Sequence, residues 1–320
     1  MRVALINDTS NVAHPGSALV SRNIFRFLRE SGHELIFSSD YSLYFSDRML
    51  HQLEKSKPDL VLIHGEGGLH SSASRPWVSR LLQVIPDYSD KHCIPCIVFN
   101  AIIDNLGEKE LRNLKRFSSI FVRDKVSQRY LAVNDIDSEF MPDFSVAYAA
   151  ELPASTIPFK SRTQVVTDSV VSDYTKILKA YSNNQKSKFI YFSPINHRLH
   201  LAKLDRFKTV RIITSKFVDP DNTLRIMQNS EGCITGRFHG LMFCLLLKVP
   251  FVCIGSNTRK VESALSESVG DLSRLISVEE IFDGHPVTVP SLTEREYANI
   301  QAYLTFAQSS LGRLRTAFSG

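Results

Sequence analysis

The sequence has no run of about 18 apolar residues, so no segment of it is expected to cross a membrane as a helix. Its first residues, Met1 to Ile6, turn polar at Asn7, too short an apolar stretch for a secretory signal. No GxGxxG fingerprint follows the first strand-like stretch, so a dinucleotide site is not expected. There is no second CxxC to join Cys93-Ile-Pro-Cys96 in a zinc site, and that pair does not open a helix as a redox pair would. Cys233, Cys244 and Cys253 sit in apolar runs and read as core, which suits a reducing, cytoplasmic setting. No C2H2 spacing and no platform of aromatic and basic residues occurs, so nucleic acid is not an expected partner. Charge of one sign is also scarce: 38 Lys and Arg face 33 Asp and Glu, a net +5. That balance permits an anionic substrate or peripheral contact with an inner-membrane surface and demands neither.

What is present is an ordinary soluble composition, 43% hydrophobic over 320 residues, enough for two domains. Val3 to Ile6, Leu35 to Phe37, Leu60 to Ile63, Pro95 to Asn100 and Ser119 to Val122 read as short buried strands with helices between them, which is the pattern of a doubly wound parallel sheet. The pattern resumes at Gln164 to Thr167, Phe189 to Phe192, Lys208 to Ile213, Cys233 to Ile234 and Val249 to Ile254. The predicted fold is therefore α/β with two Rossmann-like domains facing a cleft. Residues 1–150 form the first, 151–162 a linker rich in Pro, Ser and Thr, and 163–290 the second. Residues 291–320 form a helix expected to pack back on the first domain.

Three stretches carry chemistry. In the first loop, Asn7 to Ser17, residues Asp8, His14 and Ser17 follow a strand end, where open α/β sheets place ligands, and Ser17 is expected to cap the next helix. In His64-Gly-Glu-Gly-Gly-Leu-His70 the glycines let the backbone bend tightly, and Glu66 is either a working carboxylate or a solvated turn residue. His64, Glu66 and His70 could also converge on a metal, though the expected metal content is none.

The third stretch organises the chain. Thr235-Gly236 is expected to turn, Phe238 to Leu247 to form a buried helix, and Lys248 to close it. Arg237 and His239 stand where the helix begins. Its free N–H groups attract anions, the guanidinium adds a charged fork, and the imidazole adds a proton near neutral pH. The alternative is a capped core helix with one ion pair and one buried His. Downstream, Ser256 and Asn257 are expected to cap another helix that carries Arg259 and Lys260 at its start, either a second anion-binding end or a solvated face.

Gly236-Arg-Phe-His-Gly240, followed by Leu247-Lys-Val-Pro250 and Asn257 to Lys260, resembles the signature of the polysaccharide pyruvyl transferases. Gly65 to His70, Val122-Arg-Asp124 with Ser127, and Pro142-Asp143 support the match in order. Many members carry Asn-x-Gly-Asp in the first loop, where this chain has Asn11-Val-Ala-His-Pro-Gly-Ser17. The resemblance implies a two-domain GT-B architecture like that of nucleotide-sugar glycosyltransferases. It implies transfer of a pyruvyl group from phosphoenolpyruvate to a sugar of a cell-surface polysaccharide or its lipid-linked precursor, with no cofactor. The implied donor site is Gly236, Arg237, Gly240, Asn257, Arg259 and Lys260, with His239 as acid. Glu66 or His14 would be the base, and Asp8, Asp143 and Ser17 would meet the acceptor. A glycosyltransferase using a nucleotide-activated sugar, its base and ribose near Ser193 to His197, is the alternative. A non-enzymatic binding protein is a third.

Overall fold

Strands at Leu60–His64 and Cys96–Ala101 are buried at every position, as parallel strands covered on both faces must be. The computed structural model describes residues 1–40, 46–151, 163–193, 219–282 and 285–319. The expected strand at Lys208 to Ile213 and most of the linker lie outside the described residues. Two compact units emerge. The first comprises Met1–Asn11, Val20–Ala147 and the chain from Phe306 onward; the second comprises Val12–Leu19 and Tyr148–Thr305.

The first unit runs β1 (Arg2–Asp8), α1 (Pro15–Glu30, its residues up to Leu19 belonging to the second unit), β2 (Glu34–Asp40), α2 (Asp47–Ser56), β3 (Leu60–His64), β4 (Leu69–His70), α3 (Pro76–His92), β5 (Cys96–Ala101), β6 (Ile103–Asp104), α4 (Glu108–Leu114), β7 (Ser119–Val122), α5 (Lys125–Val133) and β8 (Glu139–Phe140). Six of these strands make a parallel sheet in the order β2-β1-β3-β5-β7-β8, and β4 pairs with β6. Asp124 starts α5 by accepting from the Ser127 N–H at 2.6 Å. Cys93 ends α3 exposed, in the left-handed region at φ 52°, while Cys96 is buried in β5 where burial pushes its thiol up. The sheet's core is aliphatic, with Val61, Ile63, Leu82, Val98 and Val122 all fully buried.

The second unit runs β9 (Val165–Ser169), α6 (Ser172–Asn184), β10 (Lys188–Ile190), α7 (Pro220–Gln228), β11 (Cys233–Gly236), α8 (Phe238–Leu247), β12 (Phe251–Ile254), α9 (Lys260–Ser268), β13 (Leu275–Ile276), α10 (Val278–Phe282) and the start of α11 (Glu294–Ser319), whose residues from Phe306 belong to the first unit. Its five described strands are parallel in the order β10-β9-β11-β12-β13. Asp219 caps α7 as its sequence suggests, accepting from Asp221 N–H at 2.9 Å, with Pro220 in the first turn. α8 is apolar all round and buried from Phe238 to Leu246, so it is a core helix rather than a surface one. Lys248 ends it in the left-handed region at φ 51°.

Three expectations are corrected here. Thr235 and Gly236 do not form a turn; they are the last residues of β11, and the chain bends only at Arg237. Ser17 does not cap α1, which begins two residues earlier at Pro15 and takes its cap from the His14 ring. Ser256 and Asn257 do not cap α9, because the helix starts at Lys260 and Arg259 holds the cap position without a side-chain hydrogen bond.

The long C-terminal helix α11 opens on a reciprocal capping box. Thr293 Oγ1 accepts from Glu296 N–H at 3.2 Å, and Glu296 Oε2 accepts from Thr293 N–H at 2.7 Å. The same carboxylate forms a two-pronged pair with buried Arg274, at 2.5 and 2.9 Å, while Arg274 also donates to the carbonyls of Phe251, Pro290 and Ser291. At the far end of α11, Phe318 meets Phe27 edge to face at 5.5 Å, and Arg313 pairs with Glu139 at 3.1 Å, both within the first unit.

The Arg274 guanidinium holds the Glu296 carboxyl at about 2, down from 4.5. A carboxyl lowered by folding stabilises the protein fully above its unfolded value and loses that contribution as pH falls toward the folded one. Glu296→Gln is therefore expected to cost roughly 3 kcal/mol at pH 7, because it leaves Arg274 buried without its counter-charge. Urea unfolding should show the gap between variant and parent shrinking between pH 4.5 and 2.

Candidate active site

At the end of β9, Asp168 is wholly buried. Its Oδ1 accepts from Phe192 N–H at 2.9 Å, and its Oδ2 receives Arg237 Nη2 at 2.5 Å. Arg237 sits at the turn between β11 and α8, with its side chain only 8% exposed. One edge of its guanidinium is thus fixed by a charge-assisted bond. Its Nε, equally buried, makes no hydrogen bond. The Arg237 backbone N–H donates to Thr235 Oγ1 at 3.1 Å, and that hydroxyl also meets Thr167 Oγ1 at 2.8 Å. These contacts bend the chain at Arg237, where α8 begins; its first intrahelical bond runs from the Leu241 N–H to the Arg237 carbonyl at 3.0 Å. The turn is tight enough that a Cβ on Gly240 would stand 2.1 Å from Thr235 Oγ1. Gly236 packs against Ser169.

The loop residues Val12–Leu19 belong to this same unit. His14 Nδ1 accepts from the N–H groups of Gly16 at 3.1 Å and Ser17 at 3.3 Å. Its ring meets the His239 ring at 5.2 Å and the Phe192 ring at 5.5 Å. Gly16 lies flat against His239, where a Cβ would come within 2.2 Å of Cγ. Burial holds the His14 pKa well below its ordinary 6.5, and His239, Arg237 and Lys260 push it further the same way. The second unit therefore gathers His14, Gly16, Ser17, Arg237, His239 and Lys260, the last at the first position of α9. Asn257 and Arg259 are exposed; Asn257 accepts from the Ser256 hydroxyl at 3.2 Å. Asp168 and Phe192, which sequence reasoning missed, organise the group. Asp168 is a lone carboxylate near the end of the strand-like stretch Val165–Ser169, the signal that could have marked it.

The first unit has its own polar constellation at the carboxyl ends of β1, β3, β5 and β7. Asn7, at φ 66°, donates from its amide to the carbonyls of His64 at 2.6 Å and Glu66 at 3.1 Å. Glu66 is buried, its Oε2 accepting from the Thr9 hydroxyl at 2.7 Å and standing 3.7 Å from His64 Nε2. Asn100 Oδ1 accepts from Phe144 N–H at 3.0 Å, which turns its amide nitrogen toward His64 Nε2, also at 3.0 Å. Burial lowers the His64 pKa despite the nearby carboxylates of Glu66, Asp143 and Asp8. Asp8 accepts from Ser10 N–H at 2.9 Å and the Ser38 hydroxyl at 2.7 Å. Asp143, expected to meet a sugar, is instead fully buried, paired with Arg123 at 2.7 Å and capping a short turn through Ser145 N–H. Among the described residues no group of three or more His, Cys, Asp or Glu is arranged to hold a metal ion; His70, considered above with His64 and Glu66, meets the Ser71 hydroxyl at 3.1 Å.

A family model described as polysaccharide pyruvyl transferase matches residues 14–258, which include the His14 loop, Asp168, Arg237 and His239. The chain belongs to the polysaccharide pyruvyl transferase family. A comparison with curated protein sequences gives no match. Among solved structures the fold is similar to that of the UDP-GlcNAc 2-epimerase from Methanocaldococcus jannaschii, at 13% identity and a TM-score of 0.53 over 100% of both chains. It is also similar to a Listeria monocytogenes protein assigned as a UDP-N-acetylglucosamine 2-epimerase, at 9% identity and a TM-score of 0.54 over 99% of this chain and 95% of that one. The pyruvyl transferase chain thus has the α/β fold of GT-B-type sugar enzymes, with two Rossmann-like units, and belongs to a family of transferases. Among the described residues no helix is long and apolar enough to cross a membrane.

Asp168→Asn removes the counter-charge of a buried guanidinium and is expected to lower the unfolding free energy by about 3 kcal/mol. Gly16→Ala, by contrast, should keep the fold and displace the His239 ring. Comparing denaturant midpoints with the His239 ring resonances separates the two: Asp168→Asn should move the first, Gly16→Ala mainly the second.

Proposed function

We propose that this protein transfers a pyruvyl group from phosphoenolpyruvate to two hydroxyls of a sugar in a cell-surface polysaccharide or its lipid-linked precursor, making a pyruvate ketal and releasing phosphate. The observation that carries the proposal is Arg237: buried, fixed through one edge by Asp168, and holding an unbonded Nε donor at the start of α8. Together with Lys260 this suits a small donor bearing both a carboxylate and a phosphate. Gly236 and Gly240 allow the close approach of backbone at that turn, and Asn257 and Arg259 flank it in sequence. His239, the second residue of α8, supplies the proton to the methylene carbon, turning it into a methyl group. One hydroxyl then bonds to the central carbon, the carbon–oxygen bond to phosphate breaks, and the second hydroxyl closes the ketal. The two hydroxyl protons balance the step: one replaces the proton His239 gave to carbon, the other leaves with phosphate. On the acceptor side, Glu66 is the proposed base, with Thr9 orienting its carboxylate, and Asp8 and Ser17 the proposed sugar contacts. Its place of work is the cytoplasm, at the inner face of the membrane where lipid-linked saccharides are presented.

A nucleotide-sugar donor is the second reading, favoured by one likeness. The Methanocaldococcus jannaschii epimerase has been seen in complex with UDP-GlcNAc and UDP, and this chain matches that structure at 12% identity and a TM-score of 0.51, over 96% of this chain and 100% of that one. Of the stretch Ser193 to His197 suggested for a base and ribose, residues 194–197 lie outside the described residues.

Calorimetry with phosphoenolpyruvate and a panel of UDP- and CMP-sugars decides between them. Phosphoenolpyruvate is expected to bind, and Arg237→Ala to weaken it by about tenfold or more, the scale of a lost charge-assisted hydrogen bond. His239→Gln should leave binding nearly intact and slow phosphate release in the presence of acceptor by roughly 10²–10⁴-fold. Binding of a sugar nucleotide alone would sink the pyruvyl transfer reading.

A further inference from the structure

His14 has two ring nitrogens, and the fold has already committed one of them. Its Nδ1 accepts from two backbone N–H groups at the start of α1, Gly16 at 3.1 Å and Ser17 at 3.3 Å. A nitrogen that accepts two N–H donors cannot carry a proton itself. The neutral ring must then hold its proton on Nε2, and only that side remains for another partner. The charged groups around it leave no incentive for a second proton. From β11 and α8 it faces Arg237 and His239, from α9 it faces Lys260, and the Phe192 ring after β10 is apolar. The carboxylate on β9, Asp168, is spent on Arg237 and on the N–H of Phe192.

We propose that His14 acts through its neutral Nε2–H as a hydrogen-bond donor to a phosphate oxygen of the bound donor, and that it is not the base the sequence suggested. This rests on the reading of the second unit as the donor site. In that role His14 neither gains nor loses a proton during turnover. It steadies the negative charge that grows on phosphate as the carbon–oxygen bond breaks, and the acceptor's protons pass elsewhere. A neutral imidazole at a helix N-terminus is well suited to this, because the helix N–H groups hold Nδ1 unprotonated and leave the ring's proton on Nε2. The unspent Nε of Arg237 is an independent sign that the same cluster awaits an anionic oxygen.

His14→Asn is the decisive variant. An Asn carboxamide oxygen replaces the Nδ1 acceptor and is a good helix cap, while the Nε2 donor is lost. The protein should unfold at the same denaturant concentration as the parent. Its phosphoenolpyruvate affinity, measured by calorimetry in two buffers of different ionisation enthalpy, should fall about tenfold, the scale of one hydrogen bond to a charged group. The number of protons taken up on binding should be unchanged. Loss of one proton from that count would overturn the proposal, since His14 would then titrate, and so would parental affinity. Nitrogen NMR of the imidazoles in the parent protein is the second measurement. A neutral Nε2–H ring at His14 from pH 6 to 8 supports the inference, and a proton on Nδ1 or an imidazolium overturns it. If phosphoenolpyruvate fails to bind the parent protein at all, the proposed function falls, while the NMR result still decides the state of His14.

Discussion

A single buried carboxylate, Asp168, fixes the arrangement of the second unit's polar cluster. It is held by backbone N–H groups just beyond the next strand and grips one edge of Arg237. Desolvating such a pair carries a large penalty, which good geometry and additional hydrogen bonds offset. Here the return lies in position more than in stability. The guanidinium is pinned, the chain bends at Arg237, and α8 begins beside the fixed charge. His239 takes its place from that turn, and Gly16 and His14 pack on His239. Without Asp168 the arginine would be free to leave the helix start and the histidine pair would lose its floor.

Charge in this cluster is arranged with economy. Arg237 is offset by Asp168, His14 stays neutral, and Lys260 adds a positive charge at the start of α9. A small dianion would meet hydrogen-bond donors on several sides without a surplus of fixed cations repelling one another. The first unit shows the opposite balance. Its carboxylates Asp8, Glu66 and Asp143 surround a fully buried His64, and Arg123 answers Asp143. Hydroxyls and amides from Thr9, Ser38, Asn7 and Asn100 tie that network together.

Much of this was legible in the sequence because local patterns decided it. Apolar runs ending in polar loops located the strands, and the sequence around Arg237 and His239 announced a buried helix with a guanidinium and an imidazole at its start. What escaped were features made by contacts distant along the chain. Asp168 lies 69 residues from Arg237, and no periodicity links them. The Ser17 expectation failed because a histidine ring, not a hydroxyl, reached the helix N–H groups first. Thr235 and Gly236 read as turn residues, yet pairing with β9 and β12 keeps them in a strand. Asp143 was expected to meet the acceptor only through the family resemblance, and its burial against Arg123 is a contact between residues 20 apart that no local pattern shows.

The path of the chain has a consequence for its modularity. Eight residues near the amino terminus, Val12–Leu19, belong with the second unit, although more than a hundred residues of the first unit follow them. A single break near residue 150 would therefore give a second half lacking His14 and Gly16, and a first half lacking the last turns of α11. Neither fragment would be a finished module. Exchange of one half between relatives, in the laboratory or over evolutionary time, would succeed only if the transplanted His239 met a loop shaped to receive it, so the loop and the second half are expected to be inherited as a pair.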